Sequence, residues 1–212
     1  MKASKLFAQP ATYRTSAVRP DKIPPEKMTE LALIGRSNVG KSSLLNALVG
    51  RRDLARVSRT PGRTQMLNFF DLGEPPVLTI VDLPGYGFAK APPAIIRKWN
   101  RLIDYYLSNR ASLRRCFLLI DARRGLSESD RTMLDKLHRF AVSTQIVLTK
   151  GDKLKKGEHE QALKQLKKDS FSWPIIHPVI LSVSSYKKYG IDRMRQEILD
   201  LYTNDDQRSP GD

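Results

Sequence analysis

From Leu31 onward the chain alternates short, nearly continuous apolar runs with longer stretches in which apolar residues return every third or fourth position. Leu31–Ile34, Val77–Asp82, Cys116–Asp121, Gln145–Thr149 and Val179–Val183 read as strands covered on both faces, and Met66–Asp71 as a strand of more mixed pattern. Lys41–Leu48 reads as a helix. Pro92-Pro93 opens another, in which Ile95, Trp99, Leu102, Ile103 and Tyr106 share one face. Ser127-Glu128-Ser129-Asp130 has the form of an N-cap with acidic first-turn residues, ahead of Met133, Leu134 and Leu137. Ala162, Leu163 and Leu166 mark a fourth helix. Ile191, Met194, Ile198 and Tyr202 mark the last.

This alternation predicts an α/β fold with a six-stranded, mostly parallel sheet, right-handed crossovers and helices on both faces. One strand must be antiparallel. Leu72–Pro76 is too short for a helical crossover, so Met66–Asp71 and Val77–Asp82 should form a hairpin. Residues 1–27 carry Pro10, Pro20, Pro24 and Pro25 and read as an N-terminal arm with a short edge strand near Leu6–Tyr13. Residues 28–203 form the domain proper, and the polar segment 204–212 reads as a flexible tail.

The 212 residues suit one domain with a sizeable core. A formal net charge of +15 favours polyanions, with nucleic acid the first candidate and acidic membrane surfaces the second. Cys116 has no partner for an internal disulfide and lies in an apolar run, as a buried structural thiol would. The start lacks the apolar stretch of a signal peptide, and no run approaches the roughly 20 apolar residues of a membrane span. A cytoplasmic location is expected.

Three segments carry chemistry. Gly35-Arg36-Ser37-Asn38-Val39-Gly40-Lys41-Ser42 is a complete phosphate loop, G-x-x-x-x-G-K-[ST]. Its glycines let backbone N–H groups face phosphates, and the following helix adds its positive dipole end. Lys41 offers a point charge to the β- and γ-phosphates, and Ser42 an oxygen to Mg²⁺. Asp82-Leu83-Pro84-Gly85 ends an apolar strand: its carboxylate can hold a metal-bound water or the metal, and Gly85 an N–H toward a γ-phosphate. Tyr86-Gly87-Phe88 then becomes a candidate switch. In Thr149-Lys150-Gly151-Asp152 the carboxylate accepts both donors of guanine, whereas adenine would face it with an acceptor. The aliphatic stem of Lys150 can lie against the base. Val183-Ser184-Ser185 can offer a backbone N–H to the guanine oxygen. Together these residues predict a GTP/GDP site at the carboxyl ends of the strands. Arg51–Thr64 holds arginines 51, 52, 56, 59 and 63 and ends in Pro61-Gly62-Arg63-Thr64-Gln65. It reads as a first switch in which Thr64, rather than Thr60, completes the Mg²⁺ shell.

Gly35–Ser43, Pro61–Gln65 with Leu67-Asn68-Phe69-Phe70, Asp82–Gly87, Thr149–Asp152 and Ser184–Gly190 together resemble the EngB (YihA/YsxC) family of bacterial ribosome-assembly GTPases, in the TrmE–Era–EngA–YihA–septin class. The resemblance runs from about Ala32 to Tyr202. It implies a Ras-like P-loop GTPase domain, nucleotide contacts at Gly35–Ser42, Gly62–Met66, Asp82–Gly85, Thr149–Asp152 and Val183–Ser185, and Mg²⁺ ligands Ser42 and Thr64. It also implies a role in assembling the large ribosomal subunit and a requirement for normal cell division; precursor particles of that subunit and rRNA are expected partners, and a monomer is expected. DNA and membranes are not expected partners. Tyr86 stands where many signalling GTPases carry a water-orienting glutamine, so intrinsic hydrolysis should be slow. Catalysis would then rest on Lys41, Thr64 and Asn38, the last at a position where some class members coordinate K⁺. The alternative is a nucleotide-gated ribosome-binding module in which hydrolysis is negligible. The lysines and arginines at 123, 124, 153, 155, 156, 164, 167, 168, 187 and 188 are candidates for rRNA phosphates.

Overall fold

The computed structural model describes residues 2–55, 66–87, 92–155 and 157–206, with side chains as far as Thr203. Its spine is a sheet of seven strands: β1 (Ala11–Ala17), β2 (Thr29–Gly35), β3 (Leu67–Leu72), β4 (Leu78–Asp82), β5 (Leu113–Asp121), β6 (Thr144–Thr149) and β7 (Leu181–Val183). They lie in the order β1-β3-β4-β2-β5-β6-β7. β3 runs antiparallel to both of its neighbours, β1 and β4. All other pairs are parallel. The helices are α1 (Ala3–Phe7), α2 (Lys41–Leu48), α3 (Pro93–Asn109), α4 (Glu128–Arg139), α5 (Glu158–Asp169) and α6 (Ile191–Asp206).

Strand periodicity divides the interior in two. On β2, Leu31 and Leu33 point to one face and Ala32 and Ile34 to the other; on β5, Phe117 and Leu119 oppose Cys116, Leu118 and Ile120. The first face is covered by α1, α2 and α6 through Leu6, Phe7, Leu44, Leu45, Met194 and Ile198. The second is covered by α3, α4 and α5 through Leu102, Tyr106, Met133, Leu134 and Leu166. Each fully buried leucine or phenylalanine contributes about 1.5–3 kcal/mol. Cys116 is buried, as its apolar run requires. Among the described residues no helix is long and apolar enough to cross a membrane.

The arm differs from its sequence reading. The sheet has seven strands rather than six, and Leu6 and Phe7 belong to a short helix rather than to the edge strand. That helix buries both side chains against the core. The strand follows it, pairing Ala11 with Leu72 and Ala17 with Leu67. Only its two terminal alanines are buried, since β1 closes the edge of the sheet and shows solvent a polar sequence. Arg14 Nε donates to Asp71 Oδ2 at 2.8 Å, and Thr79 Oγ1 donates to Asp71 Oδ1 at 2.8 Å, so the arm is tied across β3 to β4. At the other end of the chain the helical backbone runs on to Asp206.

Candidate nucleotide-binding site

The parallel strands deliver their carboxyl ends to one edge of the sheet, where the three chemical segments meet. Gly35 ends β2 with no room for a side chain: a Cβ there would lie 2.8 Å from the Leu119 carbonyl oxygen and 2.9 Å from Val39 Cγ1. The loop turns through Asn38 at φ +64° and Gly40 at φ +111° into α2. Gly40 is the N-cap and no side chain caps the helix, so its first-turn N–H groups are left to an outside acceptor. Lys41 is largely buried beside this turn.

Residues of the base-reading segment brace the loop. The Thr149 hydroxyl lies 3.0 Å from the Val39 carbonyl oxygen and 3.2 Å from that of Ile120 and donates to them. Lys150, at φ +59°, sends Nζ to the Asn38 carbonyl oxygen at 2.6 Å and to Asp121 Oδ2 at 3.0 Å. Burial pushes the Asp121 carboxyl up. Hydrogen bonds from Arg123 and Lys150 overcome that and hold it well below the usual carboxylate range. Asp121 is a site residue that the sequence reading passed over, although it ends β5 level with Thr149 in the β5–β6 register.

Asp82 ends β4, almost fully buried, and its Oδ1 has no hydrogen-bond partner among the described residues. Burial pushes its carboxyl up, against the opposing pull of the Lys41 charge and a hydrogen bond with Ser42. A buried, partnerless carboxylate oxygen next to a serine hydroxyl and a lysine fits a hard, oxygen-preferring cation or its water. Gly85 lies against the phosphate loop, where a Cβ would stand 3.1 Å from the Cα, N and Oγ of Ser37. Ser37 N–H donates to the Tyr86 carbonyl oxygen at 3.0 Å, and Tyr86 N–H to that of Gly35 at 3.3 Å. The Tyr86 hydroxyl donates to Asp130 Oδ1 at 2.6 Å. Asp130, read from sequence only as part of a helix cap, thus belongs to the surroundings of the site.

At the base-reading end, the Ser184 hydroxyl donates to Asp152 Oδ1 at 2.6 Å. Ser184 N–H is already given to the Tyr189 carbonyl oxygen at 3.0 Å, so Ser185 is next in the turn to offer an N–H to a base. Gly151 has Tyr189 Oη 2.1 Å and His159 Cδ2 3.0 Å from where a Cβ would be, a crowding that sequence spacing did not reveal. A cleft of about 750 Å³ runs from Gly40 and Ser43 past Thr149 and Lys150 to Asp152 and Ser185. That size suits a nucleotide. Gly62, Arg63, Thr64 and Gln65 lie outside the described residues, as does Phe88. Met66 is half-buried just ahead of β3.

The model of the 50S ribosome-binding GTPase family matches residues 30–150. A curated protein of Rhodospirillum rubrum, "Probable GTP-binding protein EngB", is 48% identical over 199 residues, covering 92% of this chain and 86% of its own. Among solved structures, the "Crystal structure of a probable GTP-binding protein engB" superposes with a TM-score of 0.63 at 22% identity, covering 83% of this chain and 99% of the other. Era, crystallised with MgGDPNP and nucleotides 1506–1542 of 16S ribosomal RNA, gives a TM-score of 0.67 at 22% identity, covering 84% and 57%. At such identity these structures establish the fold.

Proposed function

This chain belongs to the EngB family of GTP-binding proteins, GTPases whose domain is that of the ribosome-binding class, and we propose that it hydrolyses GTP slowly with Mg²⁺ while assisting assembly of the large (50S) ribosomal subunit. The observation that carries the nucleotide assignment is the facing of an uncapped α2 N-terminus and a serine-held Asp152 across one cleft. The loop Gly35–Ser42 takes the phosphates, with Lys41 countering charge that builds on the leaving oxygens. Asp152 selects guanine and Ser185 supports its oxygen. Ser42 and Thr64 hold the metal, with Asp82 Oδ1 completing the group directly or through water. When bound, Mg²⁺ neutralises the β- and γ-phosphate oxygens. Gly85 offers its N–H to the γ-phosphate, a contact that GDP lacks.

Slow turnover follows from Tyr86. Its hydroxyl is committed to Asp130, and it has no amide with which to orient water. The same observation favours a second reading, in which GTP fixes a binding-competent shape and hydrolysis is negligible. Single-turnover GTP hydrolysis, with and without large-subunit precursors, separates the two: stimulation supports the timer, and an unchanged low rate supports the gated module. We further assign K⁺ to Asn38. Its carbonyl is taken by Lys150, which leaves the exposed side-chain oxygen to serve. Equal turnover in K⁺ and Na⁺ would remove that assignment. A need for the protein in cell division is proposed as a consequence of ribosome supply, tested by restoring large-subunit levels in depleted cells.

A further inference from the structure

Asp152 and Ser185 line the nucleotide cleft, but Gly151, His159, Ser182 and Tyr189, which meet beside them, do not. Gly151 opens the base-reading turn, and the atom nearest to where its Cβ would be is Tyr189 Oη, at 2.1 Å. The His159 ring comes next, its Cδ2 3.0 Å from the same point. His159 stands in the first turn of α5, and its Nε2 is hydrogen-bonded to Ser182 Oγ of β7 at 2.6 Å. Tyr189 is held at its main chain as well. Its carbonyl oxygen accepts the Ser184 N–H at 3.0 Å, and the Ser184 hydroxyl donates to Asp152 Oδ1 at 2.6 Å. Gly190 follows at φ +73° with no room for a side chain, since the Ser182 carbonyl carbon is 3.0 Å from where its Cβ would be. The phenol of Tyr189 thus starts from a constrained backbone and ends on Gly151. One residue touches both the segment that carries Asp152 and the serine that holds its carboxylate.

We propose that Tyr189 is a positioning residue for guanine: its ring is the back wall of the base-reading turn and sets where Asp152 presents its carboxylate. The same wall accounts for glycine at position 151. Gly151 does not adopt a left-handed φ, so what it supplies is space rather than backbone freedom. A methyl group there would meet the phenol, and either the ring or the turn that carries Asp152 would have to move. The ring is braced from its own main chain and the His159 ring is tied to Ser182, so part of the displacement falls on the turn. A carboxylate that must accept two donors of one base tolerates little displacement, because each hydrogen bond weakens steeply as its angle opens. This inference rests on the guanine-nucleotide reading above and adds to it the residue that sets the geometry of base selection.

The test is calorimetric titration with GDP and IDP, because inosine keeps the N1–H of guanine and lacks its 2-amino group. A well-placed carboxylate accepts both donors, so the ratio of the two affinities reports the placement of Asp152. A general loosening of the fold would weaken both ligands alike. Gly151→Ala should lower GDP affinity by about tenfold and cut the preference for GDP over IDP by at least about threefold. Tyr189→Phe removes the atom that stands closest to the new methyl. The double variant of Gly151→Ala with Tyr189→Phe should therefore recover most of both losses, a coupling expected only of residues in contact. Tyr189→Ala takes the wall away and should reduce the preference by itself. A Gly151→Ala loss shared equally by GDP and IDP overturns the proposal, and so does one that Tyr189→Phe fails to relieve. Should Gly151→Ala not fold, Tyr189→Ala carries the test alone, and an unchanged preference for GDP overturns the proposal. A parent that binds GDP no better than ADP sinks the guanine-nucleotide reading and this inference with it. A parent that prefers GDP, beside a Gly151→Ala variant with the same preference, sinks the inference alone.

Discussion

The Tyr86 hydroxyl donates a 2.6 Å hydrogen bond to Asp130 Oδ1, so the residue that follows Gly85 is tied to the first turn of α4. Asp130 Oδ2 in turn accepts the Ser127 N–H at 2.9 Å in a capping box. Burial, reinforced by the Asp130 charge, pushes the Tyr86 phenol well above its ordinary value, so it stays a donor throughout the working pH range. Tyr86→Phe leaves Asp130 Oδ1 without that donor inside the fold. The expected cost is about 1–3 kcal/mol. Thermal unfolding should show it as a loss of several degrees, at about 2–4 °C per kcal/mol for a chain of this size. An unchanged Tm would mean that water replaces the phenol freely.

Gly85 is held where a side chain would be crowded. An added methyl would meet backbone atoms of Ser37 at 3.1 Å, and backbone cannot swing aside as a long side chain can. Gly85→Ala should therefore push the Asp82–Gly85 segment off the phosphate loop. A non-hydrolysable GTP analogue should bind about tenfold more weakly, ~1.4 kcal/mol, while GDP loses less. Isothermal titration with both nucleotides checks this. Equal losses would place the effect in the loop rather than at the γ-phosphate.

Guanine selection depends on the pair Asp152 and Ser184. Asp152→Asn puts an amide donor opposite the guanine N2–H₂ group, so affinity should fall by about a hundredfold or more, and xanthosine nucleotides, which offer an acceptor there, should gain. Ser184→Ala removes the 2.6 Å hydrogen bond that holds the carboxylate, and with it the acceptor of Lys187 N–H. Its expected effect is smaller, about tenfold, ~1.4 kcal/mol in GDP affinity and without a switch toward xanthosine. Competition titrations with guanosine, xanthosine and adenosine diphosphates distinguish the two outcomes.

Much of this was legible in the chain itself, for a physical reason. Strands buried on both faces must be apolar throughout, so β2, β4, β5 and β6 stand out. α2 was bounded correctly because its start is fixed by the loop motif. The hairpin of β3 and β4 followed from a connection too short for a crossover. β1 was displaced because an edge strand with only its terminal alanines buried has no apolar run to mark it. The long-range polar contacts were invisible for a different reason. Thr149 reaches Val39 across 110 positions, and Tyr86 reaches Asp130 across 44; in both cases a local role already accounts for the residue type. Asp130 serves as a cap and Thr149 as part of a base-reading segment, so nothing in the pattern demanded a second partner.

Asp82 links the site to stability. Burial raises its carboxyl above the ordinary value of 3.8, so in the nucleotide-free protein the ionised form is disfavoured by folding. For an acid whose folded pKa is raised, the contribution to stability is fully present below the unfolded pKa and is lost as pH rises through the folded pKa. At neutral pH, well above the unfolded pKa, burying this carboxyl should therefore cost the empty protein stability, its Oδ1 having no partner among the described residues. Asp82→Asn is neutral and similar in shape, so it should unfold at a higher temperature than the parent at pH 7 when no nucleotide is present. That advantage should shrink as pH falls through the raised folded pKa toward the unfolded value, because the parent carboxyl then protonates within the fold. Adding Mg²⁺ and GDP should reverse the order, because the cation repays the desolvation of the carboxylate and has no charge to meet in the variant. Melting curves across pH, with and without Mg²⁺ and GDP, test both halves. A variant less stable than the parent in the empty state would show that Ser42 and Lys41 already compensate the buried charge.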